Sequence, residues 1–371
     1  MLTPNTFSPR GRLLYVGNFM LPNYNAACQR VLNNRNLFES IGFKVDLIGN
    51  AHSKVPGVGD FGFNVDLKHS GRLRSYIVIL LYILHNWTRY EHIVFYNHPV
   101  LINVALIIIK PFSYRKKIIL DITEWYKVSL NYNPKSWAKF IDVWLRNYLF
   151  WRFSSRLIIT SSYYNDNYPS NQKRLNLPTL QTISRSKYKA INLDKIRLIY
   201  FGNPFEINNG AKSEKELLST VVESVLGYPG AELDIFGLNK SDYYEFYGHN
   251  LTSSNIRFHG VIGHEMLVKI LPEYDASIFF RADSRVNAVG FPGKLSLSIA
   301  NGLPVITSNI KSLKALEKIS GVILLDLSSG QVPDLADSIS KLDSIRKKLV
   351  SIENSHFYWA SFKNEAANFF D

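Results

Sequence analysis

The chain has 371 residues, of which 46% are hydrophobic, a single cysteine and a formal net charge of +13. This length suits two domains with ample cores, and one cysteine excludes a disulfide framework and fits a reducing compartment. The N-terminus has no basic-then-apolar pattern of a signal peptide, so we expect a cytoplasmic protein.

The positive charge is concentrated in the N-terminal half. Residues 1–189 carry 25 Lys and Arg against 9 Asp and Glu, a balance of +16, whereas the remainder carries 18 against 21, a balance of −3. Such an asymmetry indicates an anionic partner for that half: a membrane surface, a phosphate-bearing substrate or a nucleic acid. A solvated basic face is the alternative. No nucleic-acid-binding motif accompanies the charge, so we expect no nucleic acid partner.

The chain opens with a βαβ pattern. An apolar strand at Leu13–Gly17 precedes a helix over Ala26–Ile41, which Gly42 ends, and a second strand at Lys44–Ile48. The pattern places Gly17 at the carboxyl end of the first strand, where α/β folds bind ligands. Its spacing is not the dinucleotide fingerprint, so a nicotinamide cofactor is not expected.

Two long apolar runs follow, at Tyr76–Leu84 and Val100–Ile109. Both are too short to span a bilayer. We interpret the first as a buried helix and the second as a buried helix or strand.

Further strands are predicted at Ile93–Tyr96, Lys117–Asp121 and Arg156–Thr160. Between the last two, apolar residues recur at helical spacing over Trp137–Trp151. This helix carries basic residues as well, so it either packs on the sheet or lies on a membrane surface. The polar, proline-bearing segment Asn165–Asn192 is interpreted as the crossing between two domains.

A second alternating series of strands and helices fills the C-terminal half. Its strands are predicted at Ile196–Phe201, Leu233–Phe236, Ile256–Phe258, Ala276–Phe280, Val305–Thr307 and Val322–Leu325. We therefore predict an α/β protein with two Rossmann-like domains facing a central cleft, residues 1–190 and 191–355. The aromatic segment 356–371 has a helical pattern and is expected to pack back on the first domain.

The stretch Gly290–Thr307 is the most informative of the sequence. It predicts a glycine-bearing loop, a short helix over Lys294–Ala300, a break and a strand. Backbone amides at a helix N-terminus favour an anion. Lys294 adds a full positive charge there, and Gly293 lets a ligand approach the backbone closely. Ordinary packing of a helix on a sheet is the alternative.

The order of residues in this stretch, Phe291 to Leu295 and then Ala300 to Ile306, resembles the donor-nucleotide segment of family 4 glycosyltransferases. Similar motifs extend the resemblance over nearly the whole chain: Ala26–Asn34, Gly42–Asp46, Asp121–Tyr126, Tyr200–Pro204 and Asn255–Gly260. The resemblance implies the GT-B architecture, with an acceptor-binding N-terminal domain and a donor-binding C-terminal domain. It also implies a retaining glycosyltransferase that uses a nucleotide sugar.

A departing nucleoside diphosphate gains negative charge, which fixed cations or amide dipoles must meet. The resemblance and this requirement together give the donor-binding candidates Gly17, Gly202, Asn203, Lys212, His259, Arg281, Phe291, Pro292, Gly293 and Lys294. The family usually carries a lysine near Lys212, and Lys215 is a neighbouring alternative. His259 has a second interpretation as a structural strand-end histidine. No Asp-x-Asp pair is present to hold a metal on the diphosphate, so a metal-free mechanism without a cofactor is expected.

The segment Asp121–Tyr126 looks like the acceptor-side catalytic loop of the family. Glu124, just past a predicted strand, is the leading catalytic carboxylate, and Asp121 is expected to orient it or the acceptor. Three alternatives stay open. Glu124 caps the following helix, Asp121 pairs with an arginine, or His98 acts as a second base.

The chain departs from the family at two positions. The family commonly places two glutamates eight positions apart around the donor loop, one touching the sugar and one the ribose. This chain has Val289 and Leu297 there. Their roles would fall to Asp283, Asn287, Ser296 or backbone groups.

The sequence therefore predicts a cytoplasmic glycosyltransferase, peripheral on the inner face of the cell membrane. It would move a sugar from a nucleotide-diphosphate donor to a lipid-linked or oligosaccharide acceptor in bacterial surface polysaccharide or glycolipid assembly. A GT-B-type sugar-nucleotide epimerase and a non-catalytic scaffold of the same fold are the alternatives, and Val289 and Leu297 favour the scaffold.

Overall fold

The computed structural model describes residues 9–21, 26–51, 72–97, 100–125, 134–161, 163–167, 172–182, 188–208, 211–248, 251–310, 313, 316, 319–351 and 356–371. The chain divides into two compact units, residues 1–180 with 289–291 and 359–371, and residues 181–288 with 292–358. The first unit ends before the expected boundary at residue 190. Gln181 already belongs to the second unit, because it forms a parallel β-bridge with Tyr358 and its backbone N–H donates to the Phe357 carbonyl at 2.8 Å.

The first unit is built around a parallel sheet. Its elements up to residue 176 are β1 (Arg12–Leu21), α1 (Ala26–Ser40), β2 (Lys44–Ala51), α2 (Arg72–His85), β3 (His92–Tyr96), α3 (Val100–Ile109), α4 (Pro111–Lys117), β4 (Ile118–Ile122), α5 (Pro134–Trp144), β5 (Arg156–Ile159), α6 (Tyr163–Asn167) and β6 (Lys173–Asn176). The six strands follow the order β2-β1-β3-β4-β5-β6. Every residue of β3 and β4 is buried, because helices cover both faces of the sheet.

The second unit repeats this plan. Its elements are β7 (Ile196–Phe201), β8 (Phe205–Asn208), β9 (Ala211–Glu214), α7 (Leu218–Leu226), β10 (Ala231–Phe236), α8 (Lys240–Tyr247), β11 (Ile256–Gly260), α9 (His264–Ile270), β12 (Ala276–Phe279), α10 (Arg285–Val289), α11 (Gly293–Ala300), β13 (Val305–Ser308), β14 (Val322–Leu325) and α12 (Ala336–Ser351). Its parallel sheet has the order β11-β10-β7-β12-β13-β14. The antiparallel hairpin of β8 and β9 was not predicted from the sequence.

The last helix, α13 (Lys363–Phe370), belongs to the first unit and packs against α1 and β6. Its Phe370 ring meets Phe38 edge to face, with centroids 5.3 Å apart, and lies 5.2 Å from the His92 ring. Helices α1 and α13 thus cover one face of the first sheet, and α2, α3 and α4 cover the other.

Three interpretations of the sequence need correction. The run Tyr76–Leu84 lies in α2 as a helix but is not fully buried, because Ile77 is 49% exposed and Leu81 is 60% exposed. The segment 165–192 is not only a crossing, because Lys173–Asn176 adds a sixth strand to the sheet beside β5. The run Val100–Ile109 forms a helix, but it is not buried as expected. Its inner residues Ile102 and Leu106 join the core, whereas Ile108 on the outer side is 72% exposed.

The aromatic helix of the predicted Trp137–Trp151 segment also has two different faces. A π-helical turn at Leu145–Leu149 and a short 3-10 turn at Phe150–Arg152 continue α5. Val143, Asn147 and Phe150 are buried, whereas Trp137, Ile141, Trp144 and Tyr148 are 44–52% exposed. None of the helices in the described residues is long and apolar enough to cross a bilayer.

The position of His92 under α13 predicts a pH-dependent stability. Burial, and then the nearby cations Arg156, Arg10 and Lys117, lower the pKa of His92 from 6.5 to about 4. The Glu91 carboxylate, 3.8 Å from the imidazole, does not offset this. In the unfolded chain His92 is therefore protonated below pH 6.5, whereas in the folded chain it is protonated only below about pH 4.

We expect the free energy of unfolding to fall by about 3 kcal/mol from this group as the pH drops from 6.5 towards 4. Urea unfolding at a series of pH values measures it. His92→Phe keeps an aromatic ring in the cluster and should flatten the pH dependence in this window. Equal slopes for the two proteins would contradict the assignment.

Candidate functional site

The loop and helix predicted around Lys294 are present in the second unit. Pro292 is buried and extended, and α11 begins at Gly293. Lys294 lies in its first turn with a side chain only 12% exposed. Its Nζ stands 4.2 Å from the Tyr200 ring centroid and 5.3 Å from that of Phe279. Burial against aromatic faces removes water from the ammonium, so any charge that meets it is strongly felt.

The ammonium group lies beneath the turn that follows β7. Gly202 has φ +108°, and a Cβ built there would lie 3.3 Å from Lys294 Nζ. The positive φ and the close approach both favour glycine at this position. Lys294 is thus fixed at the carboxyl end of β7, the edge at which open α/β sheets bind ligands.

Sequence reasoning missed Glu216, which is the direct partner of Lys294. Lys294 Nζ donates to Glu216 Oε2, and the Tyr200 hydroxyl donates to the same oxygen at 2.6 Å. Glu216 is only 5% exposed. The only feature of the sequence that could have indicated Glu216 is its position after Lys212 and Lys215 and just before α7. A solvated glutamate would be expected at the same position.

The charges around Glu216 keep it ionised. Burial tends to raise the pKa of Glu216, but Lys294 and then Arg281 lower it more, so its pKa lies below the ordinary value. Burial lowers the pKa of Lys294, and the carboxylate opposes this. The positive charge expected to face a diphosphate is therefore met, in this structure, by a carboxylate of the protein itself.

Arg281 is the second buried cation of this cluster. It follows β12, is 3% exposed and forms an antiparallel bridge with Glu216. Ser308 fixes its backbone, accepting from the Arg281 amide at 2.9 Å and donating to its carbonyl at 3.0 Å. Burial lowers the pKa of Arg281, and Glu216 is the strongest opposing influence. Lys294 and Arg281 both lower the pKa of Glu216, and these three side chains, which we call the cluster, together carry a formal charge of +1.

The Gly202-Asn203 turn is more occupied than the sequence suggested. The Gly202 amide donates to the Phe236 carbonyl at 2.9 Å, and Asn203 Oδ1 accepts from the Phe205 amide at 3.0 Å. Lys212 lies on β9, and its side chain is outside the described residues. The turn supports the cluster, and its Gly202 amide is not open to a ligand.

His259 lies at the end of β11 within a polar network. Its ring stacks on Phe236 with centroids 4.5 Å apart, and its Nε2 lies 2.8 Å from Asp234 Oδ1. Asp234 also accepts from Arg257 Nε at 2.7 Å and from the Tyr274 hydroxyl at 3.0 Å. These contacts agree with a structural role for His259 at the strand end. Its side chain is nevertheless 38% exposed, so a ligand could still reach the ring.

In the first unit, Asp121 takes part in a buried ion pair. Its carboxylate is fully buried and accepts from Arg30 Nη2 at 2.7 Å, from the Tyr15 hydroxyl and from Asn34. The alternative that Asp121 pairs with an arginine is therefore what the structure shows. Glu124, three residues on, is exposed. His98 and the segment after Trp125, which Glu124 would cap, lie outside the described residues.

Gly17 has a packing role. It stands opposite Tyr96, which in turn stands opposite Asp121 across β1, β3 and β4. A Cβ at Gly17 would approach the Tyr96 Cβ to 2.6 Å and its carbonyl oxygen to 2.8 Å. Such contacts are too short for any other residue, so this glycine is explained without a ligand.

The two positions that depart from the family pattern are core positions. Val289 is fully buried with the apolar core of the first unit, where its carbonyl accepts from the Thr160 hydroxyl at 3.2 Å. Leu297 is 8% exposed and packs with Ile199, Phe201 and Leu303 in the second unit. Neither side chain offers a hydrogen bond to a sugar or a ribose.

The suggested substitutes differ in accessibility. Asn287 Nδ2 donates to the Lys215 and Ala282 carbonyls at 3.0 and 2.9 Å, so it braces the loop. Ser296 donates to the Gly293 carbonyl at 2.9 Å and accepts from Gln181. Asp283 is exposed. Phe291 belongs to the first unit, whereas Pro292 and Gly293 belong to the second.

Comparison with solved structures identifies the fold. The chain is similar to an α-glucosyltransferase in complex with UDP and a 13-mer DNA containing a HMU base, with a TM-score of 0.59 and 12% identity over 97% of this chain and 99% of that chain. It is similar to the lipopolysaccharide outer core galactosyltransferase WaaB in its apo form (TM-score 0.55, 12% identity, 96% and 99% covered). It is also similar to UDP-GlcNAc 2-epimerase from Methanocaldococcus jannaschii (TM-score 0.51, 12% identity, 96% and 98% covered).

The chain spans 57% of the matched chain of the GtfA/B complex and 58% of TarM. No family model and no curated protein matches it. The predicted fold class is confirmed: the chain has the two-unit α/β fold of GT-B glycosyltransferases. These likenesses do not single out family 4 among the families that share this fold.

The Glu216–Lys294 pair predicts a stability effect. Lys294→Met removes the ammonium and leaves a buried carboxylate without it, which typically costs about 3–5 kcal/mol. We expect a loss of this order in urea unfolding. The double variant Lys294→Met with Glu216→Gln removes both charges and should recover part of it. Lys341→Met breaks an exposed pair with Asp337 and should cost less than about 1 kcal/mol. A tolerated Lys294→Met would show that the pair is not formed.

Proposed function

We propose that the protein is a glycosyltransferase that takes a sugar from a nucleotide-diphosphate donor bound by the second unit. The observation that carries this proposal is the buried cluster of Lys294, Arg281 and Glu216, with its excess positive charge at the carboxyl ends of β7 and β12. Residues 190–371 as a whole carry a net charge of −3, so the positive charge of the cluster is a local feature of a half of the chain that is otherwise slightly acidic. Desolvated fixed cations are suited to a departing diphosphate.

The structural neighbours support the same class of reaction. WaaB and the α-glucosyltransferase are glycosyltransferases by name, and the chain covers 99% of each. We extend the proposal to a retaining, metal-independent transfer to a glycan or lipid-linked acceptor, in lipopolysaccharide or related surface polysaccharide assembly. The +16 balance of residues 1–189 supports an acceptor held near an anionic membrane on its cytoplasmic face.

A sugar-nucleotide epimerase is the second candidate, since one neighbour of nearly equal length is UDP-GlcNAc 2-epimerase. The two activities differ in their requirement for an acceptor. A panel of nucleotide sugars, screened first for thermal stabilisation of the folded protein, selects the donor. Incubation of that donor without an acceptor then separates them: an epimerised sugar nucleotide indicates the epimerase.

Nucleoside diphosphate binding should depend on Lys294. To avoid an unpaired buried carboxylate, the test uses the double variant Lys294→Met with Glu216→Gln, and the Glu216→Gln single variant as its matched control. We expect the double variant to bind UDP or GDP more weakly than the control by roughly 1.5–3 kcal/mol, the range of a charge-assisted hydrogen bond. Isothermal titration calorimetry measures the difference. Equal affinities in the two variants would contradict the donor site.

Sugar transfer should depend on Glu124. Glu124→Gln cannot accept a proton or carry charge, so we expect most of the transfer rate to be lost. Because Glu124 is exposed, the melting temperature and donor affinity should not change. Initial rates with the selected donor measure the effect, and a chelator should leave the wild-type rate unaltered. Near-wild-type turnover of Glu124→Gln would move the catalytic role to another residue.

A further inference from the structure

An apolar surface covers the outer side of α3 and the start of α4. Its residues, with their exposed fractions, are Leu101 (54%), Val104 (36%), Ile108 (72%), Ile109 (49%) and Phe112 (95%). We call this set the α3–α4 surface. The opposite side of α3 is buried, with Ile102 and Leu106 in the core, so apolar residues lie on both the inner and the outer side of the helix. A helix of this kind is normally covered on every side.

The neighbouring helix also carries exposed apolar residues. Helix α2 packs against α3, and both cover the same face of the sheet. On α2, Ile77 is 49% exposed and Leu81 is 60% exposed, one turn apart. Several exposed apolar groups on helices that pack together mark an interaction site more often than single exposed residues do.

The charges that these helices bring to the surface are all positive. Residues 72–85 and 100–117, which make up the three helices, contain no Asp or Glu. Lys110 stands between α3 and α4, Lys116 is exposed on α4, and Arg74 is exposed on α2. An apolar strip with a cationic border is complementary to an anionic lipid surface, which accepts apolar side chains and attracts the lysines.

A second copy of the chain fits less well. Pairing two α3–α4 surfaces would bring like charges together at the border, which disfavours association.

Another exposed strip of this unit, on α5, contains the partly exposed carboxylate of Asp142 among its aromatic residues. The helices of the α3–α4 surface carry no such acidic group.

We propose that the α3–α4 surface docks the first unit on an anionic bilayer, with Phe112 inserted among the lipids and Lys110 and Lys116 at the headgroups. Helix α3 is too short to span, so the contact is interfacial and reversible. This inference rests on the membrane setting proposed above. Its test uses neither donor nor acceptor, so failure of the docking and failure of sugar transfer are distinguished.

The chain permits a site-specific measurement. Its one cysteine, Cys28, is fully buried, and burial raises the pKa of its thiol to about 11, so it reacts slowly. Phe112→Cys therefore offers a single reactive site for an environment-sensitive fluorophore. Val261→Cys is the matched control, because Val261 is 82% exposed and lies in the second unit. We expect a blue shift at position 112, and none at 261, when phosphatidylcholine vesicles containing phosphatidylglycerol are added.

Vesicle co-sedimentation tests the chemistry. We expect Phe112→Ser to weaken binding of the full chain about tenfold, because the serine side chain gains little by leaving water for the bilayer interior. Lys110→Glu with Lys116→Glu should weaken binding to anionic vesicles at least about tenfold and reduce its salt dependence. Val261→Ser and Lys240→Glu serve as controls and should bind as the wild type does.

Three results would overturn the proposal. One is a Phe112→Ser variant that binds vesicles as tightly as the wild type. Another is equal binding to neutral and anionic vesicles that is unaffected by the lysine changes. The third is wild-type self-association without lipid that Phe112→Ser abolishes, which would assign the surface to a second copy. Because all the substituted side chains are at least partly exposed, an unaltered melting temperature separates each result from misfolding.

Discussion

A buried carboxylate, bound by one cation and one tyrosine hydroxyl, stands at the carboxyl edge of each sheet. In the first unit Asp121 accepts from Arg30 and from Tyr15 on β1. In the second unit Glu216 accepts from Lys294 and from Tyr200 on β7. Burial raises the pKa of both tyrosines well above the ordinary value, so each hydroxyl stays protonated and able to donate. Such a pair is costly to desolvate, and once formed it makes loss of either partner more costly still. Each pair ties a crossover helix or its flanking loop to the first strand of its sheet.

The two pairs differ in what remains for a ligand. Arg30 directs its remaining donors to the Leu177 and Pro178 carbonyls, so the pair in the first unit is closed within the protein. The pair in the second unit has Arg281 beside it, which leaves a positive excess in a nearly dry environment. The same arrangement is therefore closed within the protein in one unit, whereas in the other a second cation stands beside it. This difference is the physical ground on which we propose that the second unit binds the donor.

The alternating strands and helices could be predicted from the sequence, because a parallel strand that is buried on both faces consists of a short apolar run. The strands around Ile93, Ile118 and Ile278 are of this kind, and all their residues are buried. It could not predict which polar residues meet. Glu216 pairs with a lysine 78 positions away, and Asp121 pairs with an arginine 91 positions away. Neither contact can be predicted from a local sequence pattern, because the partners are so far apart in the chain. Nor does an apolar run indicate which of its sides will be covered, which is why Val100–Ile109 was predicted to be buried and is buried on one side only.

The charge pattern of the second unit bears on how a sugar could be recognised. Val289 and Leu297, at the positions where the family that the sequence resembles carries acids, are both committed to apolar cores. The one carboxylate that the cluster does possess, Glu216, is occupied by Lys294 and Tyr200. Both contacts are made to Oε2 of Glu216, so the carboxylate fixes the position of the Lys294 ammonium and offsets part of its positive charge. On our proposal that the second unit binds the donor, the exposed side chains of Asp283 and His259 are candidates for hydrogen bonds to its sugar or ribose.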